Sequence, residues 1–203
     1  MKKYVKLALS ILLFVGFMAG VIIVYRKLAE DYKPEQNLVV ENQEDGTLES
    51  QASEETKQEA EMSMAADFTM TNEAGEEVHL LDFKGKPIVL NFWASWCGPC
   101  KAELPDFQAA YDKYGEDVEF ILLNMTDGYQ ETVDTARKFM EKEGYTMPLY
   151  FDTVDMQGAY TYGVSSIPTT FFISAEGEMI AYAAGMLDAE TLEYGISMIL
   201  SQE

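Results

Sequence analysis

The stretch NFWASWCGPCKAELPDF, Asn91 to Phe107, contains both cysteines of the 203-residue chain, Cys97 and Cys100. It continues an apolar run that begins at Pro87, and such a run is typical of a strand buried on both faces. A helical pattern follows from Gly98 to about Tyr114. The sequence therefore predicts a buried strand that ends close to the first cysteine, and a helix that begins at the pair.

The elements around this stretch alternate between strand and helix patterns. DFTM and EEVHL, on either side of TNEAGE, predict a β-hairpin with its turn at Asn72 to Gly75. Further strands are predicted in DVEFILLNM, PLYFD, TTFFIS and EMIAYAA, and further helices in QETVDTARKFMEKEG, MQGAYTYG and DAETLEYGISMIL, the last capped by Asp188. This order predicts an α/β sandwich with a mixed central sheet flanked by helices and an added N-terminal hairpin.

A pair of cysteines separated by two residues has three interpretations. A zinc site needs about four N or S ligands, whereas the chain offers two cysteines and one histidine, His79, inside a predicted hairpin strand. No metal or other cofactor is therefore expected. A structural disulfide would close a tiny loop and would constrain the unfolded chain little. A redox couple fits the local sequence best.

The position of the pair at a helix N-terminus favours redox chemistry. Unpaired backbone N–H groups and the helix dipole stabilise a thiolate there, and thiols in such settings have pKa values of ~3.5–7.5 instead of ~8.5. Cys97 is therefore predicted to be the exposed nucleophile. Cys100, on the same helical face, is predicted to resolve a mixed disulfide on Cys97. Pro99 is tolerated in the first turn, because its missing N–H would have no partner there.

Residues 1–29 are predicted to be a membrane anchor. Nineteen uncharged residues, Leu7 to Tyr25, follow three lysines and precede Arg26 and Lys27, and a spanning helix needs ~17–25 residues. A cleavable signal peptide is the alternative, but its apolar region is usually ~7–15 residues long, and Gly16 to Gly20 offer no convincing cleavage site. Basic residues are denser before the run, so the N-terminus is expected in the cytoplasm and the rest of the chain outside.

Residues 30–62 are predicted to be a flexible acidic linker, and residues 63–203 one folded domain. The linker has eleven acids and two lysines, and too few apolar residues to offset the entropy cost of ordering. The remaining 141 residues are one domain in size. The formal net charge of the chain, −21, argues against nucleic acid as a partner, because a phosphate-binding surface needs clustered Lys and Arg.

FWASWCGPC resembles the active site of thioredoxin, and Asp67 to Ser201 resemble the membrane-anchored TlpA/ResA branch of the thioredoxin-like family. The likeness extends over FKGKPIVLNFWASWCGPCKAELP and YGVSSIPTTFFI. It implies a thioredoxin fold with a peptide-binding groove beside the thiols, to which Trp96, Gly98 and Pro99 would contribute. Trp93 and Trp96 would frame the thiols, although core packing explains Trp93 equally well.

The resemblance also assigns a role to the segment SIPTT. Pro168 matches the family's cis-proline, which lies against the cysteine pair, and the backbone of Ile167 would pair with the substrate in a short β-like contact. An ordinary trans proline is the alternative, since only ~5–6% of X–Pro bonds are cis.

Asn91 departs from the thioredoxin pattern. Cytoplasmic thioredoxins carry a buried aspartate at this position, which assists proton transfer at the resolving thiol, and an asparagine cannot take up a proton. Glu103 is the predicted replacement, because it lies one helical turn from Cys100 and matches a glutamate of the ResA-like branch. The alternative for Glu103 is a solvated surface acid. The nearby Lys101 is expected only to cover surface.

The function that the resemblance implies is thiol–disulfide exchange outside the cytoplasm, with disulfide-bearing proteins as the partners to be reduced. A transmembrane thiol carrier would supply the electrons. Cytochrome c maturation, methionine sulfoxide reductase supply and spore-envelope formation are the expected uses.

Three other functions compete with this expectation. Donation of disulfides, as an oxidant or isomerase, is the main alternative. A peroxiredoxin fits poorly, because Ala94 stands three residues before Cys97, where a Thr or Ser would be needed. A tethered chaperone or adhesion module would not need a C-x-x-C pair.

Overall fold

The computed structural model describes residue 18, residues 38–40, residues 64–153 and residues 155–201. Its strands are β1 (Leu38–Val40), β2 (Thr69–Thr71), β3 (Glu77–His79), β4 (Ile88–Trp93), β5 (Glu119–Asn124), β6 (Leu149–Phe151), β7 (Thr169–Ile173) and β8 (Met179–Ala184). Its helices are α1 (Gly98–Tyr114), α2 (Val133–Glu143), α3 (Gln157–Thr161) and α4 (Ala189–Leu200), with a 3₁₀ turn at Leu80–Phe83. Each strand and helix predicted beyond residue 63 is thereby confirmed.

The chain divides into two compact units, Met1–Glu35 and Gln36–Glu203. In the first unit only Met18 is described, and it is helical. The predicted membrane helix, Leu7 to Tyr25, therefore lies outside the described residues apart from that position, as does most of the predicted linker. Within the described part of the chain, no helix has the length and hydrophobicity needed to cross a bilayer.

The eight described strands lie in one mixed sheet, in the order β1-β8-β7-β4-β5-β6-β2-β3. β4, β5 and β6 are parallel to one another, and Trp93 lies opposite Asn124 where the first two end. The β2–β3 hairpin turns at Asn72 to Gly75, as predicted, with the N–H of Gly75 donating to the Asn72 carbonyl at 3.0 Å. Since parallel strands end at the same edge of a sheet, the segments after β4 and β5 are neighbours.

The central position of β4 explains its continuous apolar sequence. All six of its residues are buried, and successive side chains point to opposite faces of the sheet. Val89 and Trp93 pack in the core cluster that α1, α2 and α4 cover, whereas Leu90 and Phe92 pack in the cluster on the opposite face. The sheet therefore separates two apolar layers.

The longer helices begin at residues whose side chains cap them. The Cys97 side chain caps α1 and that of Thr132 caps α2. The Asp188 carboxylate caps α4, as predicted, and accepts the N–H of Thr191 at 2.9 Å. These caps satisfy backbone donors that have no partner within the helix.

β1 is a strand that the sequence does not predict. It falls within the range interpreted as a flexible linker, and it pairs antiparallel with β8, with Leu38 opposite Ala183 and Val40 opposite Ala181. Three residues are too few for a periodic pattern, and the acidic composition around them predicts a linker instead. β1 gains backbone hydrogen bonds along an otherwise open edge of the sheet. The bounds of the linker, residues 30–62, stay a prediction.

Candidate active site

The two cysteines lie at the junction of β4 and α1 and are joined by a disulfide. Cys97 is the N-cap of α1, and the backbone N–H of Cys100 donates to its Sγ at 3.1 Å. A thiolate on Cys97 would accept the same N–H and would face the positive end of the helix dipole. The predicted junction is confirmed, and it places the Cys97 sulfur where a negative charge is stabilised.

Cys97 is less accessible than the sequence predicts. In the disulfide form Cys97 is 4% exposed and Cys100 is 0% exposed. The prediction of an exposed nucleophile is therefore wrong for this form, because the Cys97 Sγ is covered by the loop before β7 and lies 3.7 Å from the carbonyl oxygen of Ile167. Trp96, the neighbour of Cys97, is 48% exposed. Contact between Trp96 and a partner protein stays a prediction.

The Ile167–Pro168 peptide bond is cis, as the resemblance implies. Pro168 is buried and Ile167 is half-buried. The Pro168 carbonyl accepts the N–H of Gly185 at 2.9 Å, which ties this loop to the end of β8. The structure thus brings Ile167 and Cys97 together, whereas pairing of the Ile167 backbone with a substrate stays a prediction.

Glu103 is buried in the core and is not a solvated acid. It is 1% exposed. One carboxylate oxygen accepts the Asn91 Nδ2 at 2.9 Å, and the other accepts the N–H of Leu187 at 2.9 Å. Burial raises the pKa of Glu103 to about 7, although the hydrogen bonds from Leu187 and Asn91 lower it in part. A carboxyl group that titrates near neutral pH, one turn from Cys100, has the property that a proton acceptor needs.

Asn91 holds Glu103 in place from the middle of β4. Its Nδ2 also donates to the hydroxyl of Thr170 at 3.0 Å, and its Oδ1 is buried without a hydrogen-bond partner among the described residues. Because neither Asn91 nor Thr170 ionises near neutral pH, the protonation change in this cluster falls on Glu103. The direct contact between Asn91 and Glu103 is consistent with the prediction that Glu103 takes the proton-accepting role that Asn91 cannot fill.

A second buried carboxylate, Glu131, holds the segment that precedes Cys97. It is 1% exposed. Its Oε1 accepts the N–H of Ser95 at 3.1 Å and the Asn124 Nδ2 at 2.9 Å, and its Oε2 accepts the Ser95 hydroxyl at 2.7 Å. Glu131 therefore joins the ends of β4 and β5 beside the disulfide. Glu131 is not among the residues predicted from the sequence, because its contact with Ser95, 36 residues away, leaves no local signal.

The remaining predicted residues take ordinary positions. Trp93 is fully buried in the core, which favours the packing interpretation, and its Nε1 has no hydrogen-bond partner within the described part of the chain. Gly98, Pro99 and Lys101 are exposed in the first turn of α1. His79 is exposed and lies 3.1 Å from the Asp67 carboxylate.

A cleft of about 530 Å³ lies beside the cis-proline loop. Ser165, Ser166 and Thr169 line one part of it, and aromatic side chains line another: Tyr162, Phe171 and Tyr182. The described lining includes neither cysteine. The cleft thus shares the cis-proline loop with the redox pair but not the sulfur atoms, and the predicted groove beside the thiols stays a prediction.

The folded domain matches known proteins over most of its length. Residues 62–182 match the AhpC/TSA family. The chain belongs to the AhpC/TSA family. The thiol-disulfide oxidoreductase ResA of Geobacillus kaustophilus is 36% identical over 138 residues, which cover 68% of this chain and 76% of that protein. ResA of Bacillus subtilis is 33% identical over 141 residues, which cover 69% of this chain and 76% of that protein.

Solved structures show the same fold. StoA from Bacillus subtilis superposes with a TM-score of 0.56 at 31% identity, over 64% of this chain and 96% of that one. The predicted thioredoxin-like α/β fold is confirmed, and this member of the AhpC/TSA family is a thiol–disulfide oxidoreductase of the ResA type. Its chemistry follows from the Cys97–Cys100 pair, with the Cys97 sulfur at a helix N-terminus and Cys100 fully buried.

Proposed function

We propose that the protein reduces disulfides of partner proteins outside the cytoplasm while an N-terminal helix holds it to the membrane. The observation that carries the proposal is the asymmetry of the redox pair. Cys97 lies at the N-terminus of α1 and is 4% exposed, whereas Cys100 is fully buried one turn from Glu103. This arrangement separates a sulfur that attacks a partner from a sulfur that releases it.

Reduction of a partner takes two exchanges. The Cys97 thiolate attacks one sulfur of the partner disulfide, forms a bond with it and expels the other partner sulfur as a thiolate. Glu103 then accepts the proton of the Cys100 thiol, and the resulting thiolate attacks Cys97 and releases the second partner sulfur. The partner gains two electrons, and the protein is left with the Cys97–Cys100 disulfide.

A membrane dithiol is the proposed source of electrons. The disulfide must be reduced again after each turnover, and a glutathione pool does not serve the outside of the cell, so a transmembrane thiol carrier is the reductant of the required class. The uncharged run Leu7 to Tyr25 and the lysines before it support this location. Protease added to intact cells or protoplasts should remove the folded domain. Full protection of that domain would contradict the topology.

The direction of exchange rests on the dipeptide between the cysteines. Gly98–Pro99 is the dipeptide of the thioredoxin motif that this stretch resembles, and thioredoxin has a potential of about −270 mV, against about −120 mV for the oxidant DsbA. A less stabilised Cys97 thiolate makes the dithiol a better electron donor. We therefore infer that the protein reduces.

The deciding measurement is the midpoint potential of the purified full chain in detergent micelles, equilibrated with defined thiol–disulfide buffers. We expect a value nearer −270 mV than −120 mV. A midpoint above about −180 mV, the value of protein disulfide isomerase, would make the protein an oxidant or isomerase instead.

Partners can be identified by a trap. In Cys100→Ser the resolving sulfur is missing, so Cys97 should stay joined to its partner as a mixed disulfide. The partner classes we propose are an apocytochrome c, a methionine sulfoxide reductase and a spore-envelope protein. Cys97→Ser is the matched control, because it should accumulate no such adduct.

A further inference from the structure

The loop between β5 and α2 presents an aromatic side chain to solvent. Tyr129 is 95% exposed, the highest value among the large hydrophobic side chains of the described residues. The chemistry proposed above gives it no role. A fully exposed aromatic ring is unusual, since such rings are normally used to bury area in a core or an interface.

Hydrogen bonds hold the backbone of this loop. One carboxylate oxygen of Asp127 accepts the N–H groups of Tyr129 at 2.8 Å, Gln130 at 2.8 Å and Glu131 at 2.9 Å. The N–H of Gly128, whose φ is +73°, donates to the Glu131 carbonyl at 2.9 Å. Because the backbone is already ordered, a partner that contacts Tyr129 loses little additional conformational entropy.

The loop lies next to the redox pair. Glu131, two residues after Tyr129, binds the N–H and hydroxyl of Ser95, and Ser95 is two residues before Cys97. Two hydrogen bonds therefore join the segment that carries Tyr129 to the segment that carries Cys97. Trp96, on the same segment as Cys97, is also exposed.

The chemistry around Tyr129 favours a cation. Hydrogen bonds from the N–H groups of Glu131 and Tyr129 hold the pKa of Asp127 below its usual range, so this carboxylate is ionised at neutral pH. The chain as a whole has a formal net charge of −21. An exposed aromatic ring and an ionised carboxylate two residues before it both attract an ammonium or guanidinium group.

We propose that Tyr129 is a specificity-determining contact, on which a basic side chain next to the partner's disulfide packs during exchange. The inference rests on the proposed function and adds the chemical class of its substrate: a polypeptide with Lys or Arg close to the disulfide. Tyr129 touches the partner chain and leaves the sulfur chemistry unchanged.

The test compares three probes on the reduced full chain in detergent micelles. Two are synthetic peptides with one internal disulfide, identical except that Lys or Ser flanks each cysteine, and the third is hydroxyethyl disulfide. We expect the wild type to reduce the Lys peptide about fivefold faster than the Ser peptide, and Tyr129→Ala to remove that preference. The matched control is Tyr160→Ala, since Tyr160 is 80% exposed on α3. It should keep the preference.

Rates with hydroxyethyl disulfide and the midpoint potential should be equal in all three proteins. The inference is overturned if Tyr129→Ala retains the preference for the Lys peptide, or if the wild type lacks that preference. It is also overturned if Tyr129→Ala slows the reduction of hydroxyethyl disulfide as much as the reduction of the Lys peptide. Each of these results leaves the proposed function standing as long as the wild type reduces all three probes. A wild type that reduces none of them would overturn the proposed function itself.

Discussion

The side-chain amide of Asn91 donates a hydrogen bond of 2.9 Å to the carboxylate of Glu103 inside the core. The amide supplies a donor that does not titrate, and the carboxylate supplies the proton-accepting group. Burial raises the pKa of Glu103 to about 7, which places its titration in the physiological range. The contact therefore joins a fixed polar group to a group whose charge depends on pH.

Glu103→Gln should remove a pH dependence from the release step. In the wild type the rate of release of a mixed disulfide should rise as the pH passes about 7, because the ionised Glu103 then accepts the Cys100 proton. Gln has no such form, so we expect a rate at least about tenfold lower at pH 8 and a flatter profile. Stopped-flow measurement across pH 5–9 tests this, with the exposed Glu141→Gln as the control. An unchanged profile would remove Glu103 from the mechanism.

Folding stability should report the same titration with a defined sign. Because the pKa of Glu103 rises from 4.5 to about 7 on folding, the folded state binds more protons than the unfolded state between these pH values. The free energy of unfolding should therefore fall by roughly 3 kcal/mol as the pH rises from 4.5 to above 7. In urea titrations, Glu103→Gln should lack this component. If the free energy of unfolding changed with pH in the same way in the wild type and in Glu103→Gln, the prediction would be wrong.

Cys97 should react before Cys100 in the reduced protein. Cys97 is 4% exposed, whereas Cys100 is fully buried. The backbone N–H of Cys100 also stabilises the Cys97 thiolate. We expect iodoacetamide at pH 7 to label Cys97 at least about tenfold faster than Cys100, measured by peptide mapping. Equal labelling would overturn the assignment of nucleophile and resolving thiol.

Glu131→Ala should destabilise the domain and disturb the redox pair together. The substitution leaves the Ser95 N–H and the Asn124 amide without their buried acceptor, which should cost about 2–4 kcal/mol of unfolding free energy. Loss of the Ser95 hydrogen bonds should also change the rate of Cys97 alkylation. Glu141→Ala, at an exposed position of α2, should change neither. A loss below about 0.5 kcal/mol would show that Glu131 does not support this segment.

Local signals in the sequence predict most of the fold, and contacts between distant residues account for what they miss. The redox junction, the Asp188 cap and the β2–β3 turn each depend on residues within a few positions of one another. Ser95 and Glu131 are 36 residues apart, and Glu103 and Leu187 are 84 apart. Burial of the two carboxylates depends on such contacts, so the sequence could mark Glu103 by its spacing from Cys100 but could not mark Glu131.

The pairing of β1 with β8 determines where the chain can be shortened for work in solution. A protein that begins at Ser63, the boundary predicted from composition, lacks Leu38–Val40 and leaves the backbone opposite Ala181 and Ala183 without its partner strand. An uncovered strand edge is a template for pairing between molecules. We expect such a fragment to self-associate at high concentration, whereas a fragment that begins at Gln36 should stay monomeric. Sedimentation of the two fragments would show whether self-association is a property of the folded domain or a result of removing β1.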